Sequence, residues 1–175
     1  MSRNLLIVGA STYSVVAYEI ATDMACFDKI DFIDDNRKTT PNGISVVGTA
    51  QDVFALASEY SDIIVAIGNP DVRSSLLKKF KEETPYKIAT LISPKAYVSP
   101  TAQIAGGCVI EPMAVVHSGC TVSEGCFISA GAVVNHASAC GECVHVDCNA
   151  TVEGYCTVPK KTKISAGEVY KKKDL

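Results

Sequence analysis

The sequence lacks a long apolar run: "MSRN" passes straight into the short "LLIVGA", and no later apolar segment is longer. Neither a signal peptide nor a membrane span is expected from such a pattern, which points to a cytoplasmic protein that does not enter a membrane. Positive charge is not in excess either. A net charge of −3 and a pI near 5.6 argue against nucleic acid as a partner. Without a secretion signal, the eight cysteines are expected to be free thiols in a reducing compartment. Charge of either sign is scarce in the second half, where only Lys95, Glu111, Glu124, Glu142, Asp147 and Glu153 are charged between Ser93 and Cys156. A surface so poor in charge is expected to be covered by copies of the same chain. Residues 156–175 then hold six lysines against Glu168 and Asp174, a balance of 6 − 2 = +4 that leaves −3 − 4 = −7 for the rest. A solvated tail or a site for a phosphorylated ligand accounts for that excess.

From Asn4 to about Ile92, apolar β-rich runs alternate with helical patterns. The runs are "LLIVGA", "KIDFID", "ISVVG", "DIIVAIG" and "YKIATLI", and the helices are expected over Thr12 to Met24, Thr49 to Tyr60 and Pro70 to Glu83. Continuous apolar strands separated by helices predict a parallel sheet covered on both faces, an α/β domain of Rossmann type over residues 1–91. Ligands of such sheets lie outside the carboxyl ends of the strands. Three loops qualify. Gly9 and Ser11 in "VGASTYS" open a helix whose first amides can hold a phosphate, although one glycine falls short of G-x-G-x-x-G. Asp34 and Asp35 end the second strand about where an acidic residue binds a ribose hydroxyl. Gly68 and Asn69 open "GNPDVR", which also reads as plain helix initiation. Together the three loops point to a nucleotide site.

From Ile92 an aliphatic residue returns every six positions, through Val98, Ile104, Ile110, Val116, Val122, Ile128 and Val134, then Cys140, Val146, Val152, Val158 and Ile164. A mostly small residue follows each by four. A hexapeptide period is the signature of a β-helix, three hexads to a triangular coil, over residues 92–175. That phase puts Cys108, Cys120, Cys126 and Cys156 at the small-residue position, where cysteine serves as a compact apolar group. Cys108 and Cys126, one coil apart, are expected to stack at about 4.8 Å. Cys140 points into the core, so the C-x-x-C of Cys140 and Cys143 faces two directions, unlike the ligands of one tetrahedral metal site. No metal site is expected.

His136 and His145 fall outside the core phase and belong on the outer surface; His117 reads as an inert surface residue. A three-sided prism with few charges suggests a homotrimer with these histidines in the grooves between subunits. They are nine residues apart in an eighteen-residue coil, half a circuit, so a shared site would need two chains.

The segments "IVGAST", "FIDDN", "GISVVG", "IVAIGNPDVR", "TLISPKAYVSPTAQI" and "VVNHASACGECVHVDCNATVEG" resemble, in order and spacing, the hexapeptide-repeat, left-handed β-helix acyltransferases. Members of that family acetylate nucleotide-linked amino sugars and are relatives of the sialic acid O-acetyltransferases of bacterial surface-glycan pathways. The resemblance implies that the first domain binds the nucleotide of the sugar, with Asp34, Asp35 and Arg37 in the loop that meets it. Acetyl-CoA is implied as co-substrate, with no bound cofactor. His136 resembles the general base, His145 the residue contacting the acetyl group of acetyl-CoA, and the Gly154 amide the oxyanion donor. In two respects the chain departs from the family. Ala137 stands where an acidic residue usually orients the histidine, leaving Asn135, Glu142 or Asp147 as substitutes. The repeat is also expected to degenerate through "VPKKTKISAGEVYKKKDL", with less platform for CoA. Sugar O-acetylation and a catalytically weak nucleotide-binding scaffold stay open as alternatives.

Overall fold

The computed structural model describes residues 3–171, which divide between two units, Met1–Leu91 and Ile92–Leu175. In the first unit the apolar runs become strands β1 (Asn4–Val8), β2 (Lys29–Ile33), β3 (Val46–Gly48), β4 (Asp62–Val65) and β5 (Lys87–Ile88). Between them lie helices α1 (Thr12–Asp23), α2 (Val53–Leu56) and α3 (Pro70–Glu83). The strands pair in parallel in the order β3-β2-β1-β4-β5. Leu5, Leu6, Ile7, Ile63 and Ile64 are wholly buried, which a sheet covered on both faces demands of its central strands. The chain moves outward from β1 to β2 and β3, then returns to lay β4 on the other side of β1. At that reversal the loops after β1 and β4 diverge and open a crevice at the carboxyl edge.

Two expectations are corrected in this unit. The helix expected over Thr49 to Tyr60 shrinks to the four residues of α2. The Asp52 carboxylate accepts hydrogen bonds from the Thr49 amide and hydroxyl at 2.8 and 2.9 Å, fixing a local turn that competes with helix. The run "YKIATLI" does not form one strand: Lys87–Ile88 completes the first sheet, whereas Leu91–Ile92 starts the six-residue series.

That series runs as fourteen two-residue strands at six-residue intervals, from β6 (Leu91–Ile92) to β19 (Val169–Tyr170). Every third strand pairs in parallel, giving three sheets: β6, β9, β12, β15, β18; β7, β10, β13, β16, β19; and β8, β11, β14, β17. Partners are eighteen residues apart, as Val115 with Val133 and Val116 with Val134. The result is a left-handed parallel β-helix. Val116, Val122, Ile128, Val134, Cys140, Val146, Val152 and Val158 fill the prism without exposure. Contrary to the expected degeneration, the coil keeps its phase to Tyr170, whose side chain packs against the core. Only the inward position of a hexad must be apolar, so Lys163 is accommodated by pointing outward to Asp147, 2.9 Å away. Lys172, Lys173 and Asp174 of the basic tail lie outside the described residues.

The corners have their own period. Gly107, Met113, Gly119, Gly125, Gly131, Ala137, Cys143, Asn149, Tyr155, Lys161 and Gly167 all have φ between 55° and 74°, one in each hexad from Gly107 onward. From Gly125 onward their amides reach the carbonyl nineteen residues back, as Ala137 to Ser118 and Tyr155 to His136. Glycine and asparagine take this left-handed conformation readily, whereas the other residue types bear about 1–2 kcal/mol each.

All eight cysteines are free thiols. At the small-residue position the sulfur does more than save space. Cys108, Cys120 and Cys126 donate S–H to the carbonyls of Ser123, Asn135 and Gly141 at 3.0–3.1 Å, each fifteen residues on. Ser138 makes the same bond to Glu153 at 2.7 Å. A weak donor there satisfies a carbonyl that the strand ladder leaves open. Cys140 lies in the prism core, where burial pushes its thiol up to about 12, while Cys143 sits at a left-handed corner. Among the described residues no group of three or more His, Cys, Asp or Glu is placed to hold a metal ion.

Replacement of the exposed Met113 by glycine relieves the corner strain, less the chain entropy that glycine adds. Met113→Gly should therefore raise stability by about 0.5–1 kcal/mol, and Ile128→Ala in the prism should lower it by about 2–5 kcal/mol. Urea denaturation of the two variants checks both signs.

Candidate functional site

The crevice at the carboxyl edge of the first sheet holds a cavity of about 300 Å³, lined by Gly9 after β1, Asp34, Asp35 and Asn36 after β2, and Ile67 after β4. Gly9 has φ +104°, and a Cβ there would stand 3.1 Å from Ser14 Oγ and 3.2 Å from Ile67 Cγ1. Both its backbone and its close packing require glycine. Ser11 is the N-cap of α1, and its amide donates to Ser14 Oγ at 3.2 Å.

Asp34 is a structural clamp. Its carboxylate accepts from the amides of Ala10 at 2.8 Å and of Asn36 and Arg37 at 2.9 Å, tying the β2 loop to the glycine turn. Partial burial works to raise its pKa, but those three amides and the Arg37 charge outweigh it and hold the carboxyl below its usual value. Asp35 is exposed and accepts from the Ala50 amide at 2.8 Å. Arg37 is exposed on the same loop. Asn69 caps α3, its side-chain oxygen accepting from the Asp71 and Val72 amides at 2.9 and 3.2 Å.

Sequence reasoning missed Arg73. Wholly buried, it donates from Nη1 to the Ile67 and Gly68 carbonyls at 2.7 and 2.9 Å and so shapes the loop after β4. The signal was available: Arg73, Leu77 and Phe80 recur at the spacing of a buried helix stripe, and a cation within that stripe needs fixed partners.

In the β-helix, His136 projects from the corner after β13 (Val133–Val134) and is exposed. One coil later, Gly154 lies against it: a Cβ on Gly154 would stand 2.9 Å from His136 Cε1, so a larger residue would displace the imidazole. Among the described residues the Gly154 N–H makes no hydrogen bond. The Tyr155 ring meets the imidazole edge to face, with centroids 5.0 Å apart at 80°. None of the three substitutes for an acidic neighbour holds the His136 ring within one chain. Asn135 Oδ1 accepts the His136 backbone amide at 2.8 Å, Asp147 pairs with Lys163, and Glu142 lines a groove with Gln103, Thr121 and Glu124.

His145 lies in β15 (His145–Val146), in a different sheet of the prism from β13. Its Nε2 is 3.0 Å from the buried Ser129 hydroxyl and 3.9 Å from Asp147 Oδ1, and its ring meets Phe127 edge to face. Burial works to raise the Asp147 carboxyl, but Lys163, the Cys148 amide and the nearby His145 hold it low. One chain thus joins His136 with Gly154 and leaves His145 on another face.

The PglD N-terminal domain family matches residues 4–80. The acetyltransferase domain of PglB from Neisseria gonorrhoeae is 30% identical, with a TM-score of 0.88 over 96% of this chain and 82% of that one. The same domain in complex with acetyl coenzyme A gives 0.91 at 30% identity, over 97% and 82%. A mutant of perosamine N-acetyltransferase from Caulobacter crescentus, in complex with CoA and GDP-perosamine, shares the fold at 21% identity, with a TM-score of 0.80 over 95% of this chain and 88% of that one. No curated protein sequence matches significantly.

Asp34→Asn replaces a carboxylate that accepts three amides with a group that has only one acceptor oxygen. It should cost about 1–3 kcal/mol of stability at neutral pH. The folded-state pKa of Asp34 lies below its usual 3.8, so its contribution is complete above that value and is lost as pH falls through the folded pKa. Denaturation midpoints of wild type and Asp34→Asn should differ from neutral pH down to about 4 and converge below it.

Proposed function

Because the chain belongs to the hexapeptide-repeat sugar N-acetyltransferases, we propose that it transfers an acetyl group from acetyl-CoA to the amino group of a nucleotide-linked amino sugar, the 4-amino group of a UDP-sugar, in bacterial surface-glycan biosynthesis. The observation that carries the reading is the pairing of an exposed imidazole with an adjacent amide donor, His136 against Gly154. The sugar amine attacks the thioester carbonyl while His136 takes its proton. A neutral imidazole is suited to that task near pH 7. The carbonyl oxygen gains negative charge and is met by the Gly154 N–H. Collapse of the tetrahedral intermediate breaks the C–S bond, and the departing thiolate of CoA takes the proton back from His136. Direct transfer of this kind needs no cysteine nucleophile.

In this reading the crevice of the first unit takes the nucleotide. Gly9 and Ser11 offer the start of α1 to phosphate, Asp35 and Arg37 line the exposed rim, Asp34 holds that rim in shape, and Gly68 with Asn69 forms the third loop. Acetyl-CoA lies along the β-helix, with His145 at its acetyl group. A homotrimer is supported by one outward face of the prism: Tyr97, Val115, Val133, Thr151 and Val169 stand in register on β7, β10, β13, β16 and β19. The corresponding row on β8, β11, β14 and β17 is Gln103, Thr121, Ala139 and Thr157. The apolar row suits contact between copies, which would bring His145 of one chain to His136 of the next. No described helix is long and apolar enough to cross a membrane, and free thiols used as hydrogen-bond donors suit a reducing cytoplasm.

Release of free CoA with a panel of nucleotide-linked amino sugars tests the activity, and a sialic acid-type acceptor that alone supports release would replace N- by O-acetylation. His136→Ala should lower turnover by roughly 10²- to 10⁴-fold with nucleotide binding intact; wild-type turnover in that variant would remove His136 as base. Mixed trimers of His136→Ala and His145→Ala chains should recover part of the activity that each parent lacks, and none if each site is built from one chain.

A further inference from the structure

The corner residue Tyr155 is unlike what its position needs. It holds φ +60° where six of the eleven corners have glycine or asparagine, and its side chain is 72% exposed and outside the prism core. Burial therefore does not explain the ring, and the left-handed backbone disfavours it. Its ring contact with His136 does explain it. The edge-to-face geometry, 5.0 Å between centroids at 80°, is a favourable arrangement of two aromatic rings. The Tyr155 amide also donates to the His136 carbonyl at 3.2 Å, so the two corners are fastened at the backbone as well.

An exposed imidazole on two rotatable bonds would otherwise sample several rotamers. Here it has two walls: the bare backbone of Gly154, where a Cβ would collide with Cε1, and the Tyr155 ring. Among the described residues no carboxylate hydrogen-bonds the imidazole, and Ala137 offers it nothing. We infer that Tyr155 is the positioning residue of His136, holding the imidazole by ring contact in the orientation that receives the amine proton. The inference rests on the acetyl-transfer reading given above and adds to it a residue that acts through the His136 imidazole.

Two substitutions separate the ring from the backbone. Tyr155→Gly removes the ring while suiting the left-handed corner, so the fold is kept. Tyr155→Phe keeps the ring and removes the hydroxyl. With acetyl-CoA and an accepted nucleotide-linked amino sugar, Tyr155→Gly should lower kcat about tenfold or more while KM for both substrates stays within about twofold. Tyr155→Phe should stay within about threefold of wild type. Wild-type kcat in Tyr155→Gly overturns the inference, and so does a Phe variant as impaired as the Gly variant, which would assign the effect to the hydroxyl. The chain has three histidines, so the His136 ring signal in a histidine-labelled NMR spectrum can be assigned by its loss in His136→Ala. That signal should shift between wild type and Tyr155→Gly and hold its place in Tyr155→Phe. An unmoved signal beside an active wild type overturns this inference alone. A wild type that acetylates no nucleotide-linked amino sugar overturns the acetyl-transfer reading, and this inference with it.

Discussion

Most of the second unit follows from one requirement: the backbone groups of each short strand must find their partners on the neighbouring coils, while the chain turns three corners per coil. Two-residue strands are what remain between corners so closely spaced. A left-handed residue stands in each hexad from Gly107 to Gly167, and a small side chain must stand where the chain bends. The thiols belong to the same requirement. A corner carbonyl that no strand amide reaches is met by Cys108, Cys120, Cys126 or the hydroxyl of Ser138. Cysteine at these three positions is thus a packing and hydrogen-bonding choice.

The same register builds the candidate active site. Residues eighteen apart lie one above the other, so His136 is brought against Gly154, and the corner amide of Tyr155 reaches back to the His136 carbonyl. An exposed imidazole, a neighbouring backbone amide and a second aromatic ring are brought together by two successive passes through one corner. The register also separates His136 from His145, because nine residues lead half a circuit away. On the reading proposed above, association of copies through the row headed by Tyr97 would join the two faces.

Beside the crevice of the first unit, two charged groups serve loop shape. Asp34 is committed to three amides and Arg73 to two carbonyls, and between them they fix the loops after β2 and β4 on either side of the cavity. What is left for a ligand is the exposed rim, Asp35 and Arg37, and the start of α1. On the reading proposed above, a nucleotide would meet loops already held in shape at the sheet edge where the strand order reverses.

The six-residue period was legible from sequence because the β-helix repeats every requirement at a constant separation along the chain. The parallel sheet was legible because buried central strands are continuously apolar, and α3 because Asn69-Pro70 is a local start signal. Cysteine phase and the outward placement of His136 and His145 follow from counting, whereas Gly154 was pointed to only by the family resemblance. Counting did not reveal the turn by which Thr49 and Asp52 shorten α2, or that Lys163 can point outward and let the coil run on to Tyr170. Nor could it show that Asp34 is consumed by amides, that corner sulfurs are donors, or that the Tyr155 ring meets the His136 ring. Period and phase depend on sequence separation alone, whereas these contacts depend on the directions that side chains take after the coils have stacked, and only the tertiary structure decides those.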